Sequence, residues 1–266
     1  MPMAPAISHA NAPRIIWHFG FQKTGTTAAQ WLMRANRARL RDRVTLFPRG
    51  RLTAALRTTA MTYLRDRTEA AKTAFQTELH KIADAVLGAG VPVAIVSDEN
   101  VLGLRVQDET GLIFDHAAAI LPVVEAADLP ARSEFHFTTR DAGAWLRSAH
   151  NQEVKQLGCT VAYADWPAAA LNVDWPALQA RLAALIASPV IFRDMADGNQ
   201  PMGAALLRAA GIDADTIAAL DIPDRRNESL TPAALEFMLE VNRAGLKRRD
   251  VGIIRDIVTG NMGVFK

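Results

Sequence analysis

Eight residues near the front of the chain, Gly20-Phe21-Gln22-Lys23-Thr24-Gly25-Thr26-Thr27, are of the types that hold a phosphate. Gly20 and Gly25 let the backbone turn with positive φ and come close to a ligand. Lys23 adds a point charge, and Thr24, Thr26 and Thr27 add hydroxyl donors. An apolar, β-favouring run from Ile15 to Phe19 leads into the segment, and a helical pattern, Ala28-Ala29-Gln30-Trp31-Leu32-Met33, leads out of it. The free N–H groups that open such a helix, with the positive end of its dipole, favour an anion at that point. Strand, loop and helix in this order predict a phosphate cradle rather than a solvated turn.

Further chemistry lies where later strands end. Val91-Pro92-Val93-Ala94-Ile95-Val96 is a continuous apolar run of the kind a central parallel strand needs, and it empties into Ser97-Asp98-Glu99-Asn100. Ligands of open α/β sheets sit outside the carboxyl ends of strands, so Glu99 and Asp98 fall beside the phosphate loop if the two strands are close. Both could equally be turn or capping residues. His116 is a third candidate base, although a lone histidine on a helix reads more readily as a surface or packing residue. The alternating run 133–139 ends at Arg140, whose fork can hold a phosphate bidentately, and Ser148 follows on a helix that Asp141 can cap. Asp224-Arg225-Arg226-Asn227-Glu228-Ser229-Leu230 is a polar loop before a helix with Thr231 as cap and Pro232 in its first turn.

The front loop departs from the nucleotide-triphosphate loop, G-x-x-x-x-G-K-[ST], because Thr26 stands at the lysine position and the only lysine, Lys23, lies inside the loop. Gly-x-x-Lys-Thr-Gly-Thr-Thr after a strand resembles instead the 5′-phosphosulfate loop of sulfotransferases that use 3′-phosphoadenosine-5′-phosphosulfate (PAPS). Ser97 to Asn100 is similar to the Ser-x-Glu segment of carbohydrate-type members. Arg140 with Ser148 resembles their 3′-phosphate pair, and Arg225 to Ser229 their basic loop. Phe21-Gln22 stands where many members have Pro or Arg before the lysine.

The resemblance implies a three-layer P-loop-type fold and a sulfuryl transfer from PAPS to a hydroxyl or amine of a carbohydrate or small molecule. Glu99 would be the base and Lys23 would neutralise the leaving oxygen. Gly20, Gln22, Lys23, Thr24, Gly25, Thr26, Thr27, Arg140, Ser148, Arg225 and Arg226 would hold the donor, and no metal is demanded. The rival readings are a P-loop small-molecule kinase using ATP and Mg²⁺, and a non-catalytic nucleotide-binding protein on the same fold.

The elements needed to position these residues are legible. Besides the strands already given, 44–47 and 189–193 read as strands. Helices are predicted from Thr26, over 51–89, over 114–128 with Pro122 inside, over 175–187, and around 202–210 and 214–220. Alternation of strands with helices predicts an α/β protein with a central parallel sheet flanked by helices. Residues 1–13 are expected to be a flexible segment and 14–266 one domain. Arginines 34, 37, 39, 41 and 43 form either a solvated helix face or a rim attracting an anion. Residues 158–176 carry Tyr163, Trp166 and Trp175, as a lid or acceptor wall or simply as packing.

At 266 residues, half of them apolar, the chain can bury a sizeable core. A net charge of +2 gives no argument for nucleic acid. The single cysteine, Cys159, excludes an internal disulfide and suits a reducing compartment. The absence of a long apolar run or a secretion signal leads to the expectation of a cytoplasmic protein with no membrane insertion. The oligomeric state and the acceptor stay open.

Overall fold

The computed structural model describes residues 12–103, 112–195, 200–223 and 229–265. In chain order the elements are β1 (Arg14–His18), α1 (Thr26–Ala35), α2 (Arg37–Leu40), β2 (Thr45–Pro48), α3 (Arg51–Asp66), α4 (Glu69–Gly88), β3 (Val93–Ser97), α5 (Asp115–Glu125), β4 (Arg132–Thr139), α6 (Ala142–Gln152), α7 (Trp175–Ala183), β5 (Val190–Asp194), α8 (Ala204–Ala209), α9 (Ala214–Ala218), α10 (Pro232–Arg243) and α11 (Arg248–Gly260). The chain divides into two compact units. The first runs to Arg140 and resumes from Asp174 to Pro223; the second comprises Asp141–Val173 and the C-terminal stretch from residue 224.

The first unit is α/β, with an all-parallel five-stranded sheet in the order β2-β3-β1-β4-β5. Parallel strands are joined by crossovers that cover both faces, which is why β1 and β3 are buried along almost their whole length. On one face Ile16 and Ile95 pack with Leu32 and Met33 of α1 and with Leu206 and Leu207 of α8. Strand alternation sends Phe137 and Phe192 to the other face. There they meet Phe21 of the loop, which also stacks on Phe114, at the head of α5, and on Trp175, at the start of α7. The centre of the sheet is β1, so the loop that follows it has a strand end on either side.

One expectation changes in detail. The single helix expected over 51–89 is two, α3 and α4, broken at Arg67 with φ 52. Thr68 causes the restart: its hydroxyl accepts from the Ala71 N–H at 3.2 Å, which satisfies a donor that a new helix would otherwise leave unpaired. Of the segment expected to be flexible over 1–13, Ala12 and Pro13 lie among the described residues. Ala12 is buried, and the Pro13 carbonyl accepts from the Arg132 N–H at 2.8 Å, so Pro13 extends the pairing of β1 with β4. Residues 1–11 lie outside the described residues. Of the basic residues on and after α1, Arg34 donates to the Arg49 carbonyl, Arg39 to the Ala219 carbonyl, and Arg43 to Asp213 at 2.5 Å, so these three fasten neighbouring segments.

In the second unit, Asp141 caps α6 by accepting from the Ala144 N–H at 2.7 Å, and a single π turn, Glu153–Leu157, continues that helix. Val154, Leu230, Met238 and Val258 form the core between α6, α10 and α11. Tyr163 and Trp166 pack on His150 with ring centroids 5.5 and 5.4 Å away, and Trp166 Nε1 donates to Glu153 at 3.0 Å. Within 158–176 these two rings are packing groups, whereas Trp175 belongs to the first unit. No helix among the described residues is long and apolar enough to cross a membrane.

Candidate functional site

The loop from Phe19 to Gly25 turns between β1 and α1, and its glycines are required where they stand. Gly20 has φ 52, and a Cβ there would lie 2.5 Å from Thr26 Oγ1. Gly25 has φ 88 as the residue before α1, and a Cβ there would lie 2.8 Å from Met202 Sδ. Lys23 also takes a left-handed conformation, φ 68, which a residue with a side chain adopts at a cost. Two of the expected hydroxyl donors are directed elsewhere. Thr24 Oγ1 donates to the Phe21 carbonyl at 2.5 Å and Thr26 Oγ1 to the same carbonyl at 3.4 Å, and both residues are buried. Short side-chain hydroxyls find local backbone acceptors readily, and here they hold the turn closed. Thr27, in the first turn of α1, is half-buried. Gln22 donates to Asn100 Oδ1 at 3.0 Å and so ties the loop to the end of β3.

Strand β3 lies directly beside β1, with His18 opposite Ser97, so Ser97 to Asn100 does fall beside the loop. The structure separates the two carboxylates. Asp98 is fully buried and turned toward α3, where Thr53 donates to it at 2.8 Å and Arg57 forms an ion pair with it. Glu99 is 9% exposed and accepts from Gln30 Nε2 at 3.0 Å and from Arg49 at 3.4 Å. His116 packs against Gly103, where a Cβ would come within 2.5 Å of its Nδ1, and burial, with Arg67 nearby, lowers its pKa. Asp98 is therefore structural. Asp98→Asn is expected to lower the unfolding free energy by about 1–3 kcal/mol, because Arg57 loses its counter-charge. Urea denaturation checks this, and an unchanged midpoint would remove the assigned role.

Beneath the loop, His18 is fully buried with Nδ1 2.9 Å from Ser97 Oγ, and burial, with His136 adding to it, pushes its pKa down to about 3. It stays neutral across the physiological range. Gln30 Nε2 reaches Ser97 Oγ and the Ser97 carbonyl, both at 3.2 Å, so His18, Ser97, Gln30 and Glu99 form one connected polar line.

On the other side of β1, Arg140 follows the carboxyl end of β4, and its carbonyl accepts from Trp175 Nε1 at 2.6 Å. Lys23 and Arg140 thus follow the same ends of neighbouring strands. Ser148 lies on α6 in the second unit and is buried. Arg225 and Arg226 lie outside the described residues. A cavity of about 40 Å³ opens beside the loop, lined by Thr24, Gly25, Thr138, Arg193, Met202 and Arg208 among others. Arg193 Nε is buried there without a hydrogen-bond partner among the described residues. Among those residues no group of three or more His, Cys, Asp or Glu is placed to hold a metal ion.

Sequence reasoning passed over Gln30, Arg49, Arg193 and Met202. Gln30 carried the faintest signal, a polar residue in the apolar pattern of α1; the other three reach the loop region through folding alone. No protein-family model matches the chain, and no curated protein matches it.

Proposed function

We propose that the protein is a sulfotransferase that moves the sulfuryl group of PAPS to a hydroxyl or amine of a carbohydrate or small molecule. The observation that carries the reading is the loop itself. Its one lysine, Lys23, sits between two left-handed glycines, and position 26, the lysine position of a triphosphate loop, holds a buried threonine bonded to the Phe21 carbonyl. Glu99 on one flank and Arg140 on the other give the loop a base and an anion-binding group. In the reaction the acceptor oxygen or nitrogen attacks sulfur as its proton passes to Glu99. The bond from sulfur to the 5′-phosphate oxygen breaks, and the electron pair leaves on that oxygen. Lys23 offsets the charge that collects there, and the N–H groups opening α1 hold the phosphate. Arg140 would grip the 3′-phosphate.

Calorimetry and thermal unfolding with adenosine 3′,5′-bisphosphate and with ATP·Mg²⁺ test the reading. The bisphosphate at 100 times its Kd is expected to add about 2.7 kcal/mol of stability, and Arg140→Ala to weaken its binding. Stabilisation by ATP·Mg²⁺ and not by the bisphosphate would favour a kinase. Bisphosphate binding without PAPS turnover would leave a nucleotide-binding protein.

A further inference from the structure

Gln30 lies in the second turn of α1, 2% exposed, and its amide nitrogen faces oxygens that can only accept: the Ser97 carbonyl at 3.2 Å and Glu99 Oε2 at 3.0 Å. That pairing fixes the orientation of the amide, because the flipped group would set its own oxygen against a carbonyl and a carboxylate. Ser97 Oγ stands 3.2 Å from the same nitrogen and 2.9 Å from the fully buried His18, so the serine hydroxyl is itself held in place. The two oxygens of Glu99 consequently differ. Oε2 is tied into the interior through Gln30. Oε1 meets Arg49 at 3.4 Å, on an arginine side chain that is 46% exposed.

We propose that Gln30 is a positioning residue for Glu99, holding Oε2 inside the fold so that Oε1 is the oxygen that takes the acceptor's proton. Ser97 and His18 brace the amide that does this. The identity of the proton rests on the sulfotransferase reading; the positioning does not. A glutamine kept only to fill volume under α1 would be replaceable by methionine, which has similar length and no donor. Gln30→Glu keeps the shape as well, but sets an oxygen in place of the nitrogen that faces the Ser97 carbonyl and Glu99.

The test follows the Glu99 carboxyl carbon by ¹³C NMR in the full-length protein, alongside bisphosphate binding and PAPS turnover. In Gln30→Met the Glu99 resonance is expected to move and PAPS turnover to fall about 10- to 100-fold, the scale of one lost hydrogen bond to a charged group, with the bisphosphate Kd unchanged. Gln30→Glu should fall further. A Glu99 resonance unmoved in Gln30→Met overturns the positioning role, whatever happens to turnover. A moved resonance in a protein whose wild type neither binds the bisphosphate nor consumes PAPS keeps the positioning role and sinks the sulfotransferase reading.

Discussion

Lys23→Ala is expected to lower PAPS turnover by about 10² to 10³, the usual cost of removing one group that stabilises charge in the transition state. The substitution leaves the backbone unaltered. Lys23 has φ 68, and alanine keeps a Cβ at that position, so the backbone strain stays while the charge goes. Lys23→Gly would relax the strain as well and mix the two effects. Because the lysine acts mainly on charge that appears as the donor bond breaks, turnover should fall much more than affinity for the bisphosphate. Release of adenosine 3′,5′-bisphosphate from PAPS measures the first and calorimetry the second. Unchanged turnover in the variant would refute the role.

The loop was readable because it is contiguous: the apolar run, the two glycines and the helical pattern lie within about twenty residues, and each follows from local sterics. The parallel sheet was readable for the same reason, strand by strand. Strand order was not. Glu99 stands beside the loop only because β3 pairs with β1, with β2 placed outside β3, and no local pattern encodes that choice. Side-chain direction was the other gap. Thr24 and Thr26 read as donors to a ligand, yet the nearby Phe21 carbonyl captures both hydroxyls. Asp98 and Glu99 are adjacent and chemically alike, and only the placement of Thr53 and Arg57 on α3 turns one of them into a buried structural anion. Gln30 looked like one more residue of a helix because its partners, Ser97 and Glu99, come from a different strand.

Phe21 is one of two adjacent loop residues, with Gln22, that depart from the pattern the motif otherwise resembles, and its surroundings explain what it does. Its ring is fully buried and stacks on Phe114 at 4.2 Å, Phe137 at 4.8 Å and Trp175 at 5.5 Å, with Phe192 edge-on at 5.3 Å. It joins the loop after β1 to the sheet face beneath α5 and α7, while its carbonyl accepts from Thr24 and Thr26. Phe21→Ala is therefore expected to lower the unfolding free energy by about 3–5 kcal/mol, since four rings lose a partner and cannot all close the gap. Phe21→Leu should lose a smaller part, because it restores apolar volume without the stacking geometry. Urea denaturation measures both. Bisphosphate binding, taken where each variant is fully folded, should weaken in Phe21→Ala, because the loop amides lose the anchor that holds them in one conformation. A loss of stability under about 1 kcal/mol would mean that the loop is held by its glycines and Thr24 alone, with the aromatic cluster a bystander.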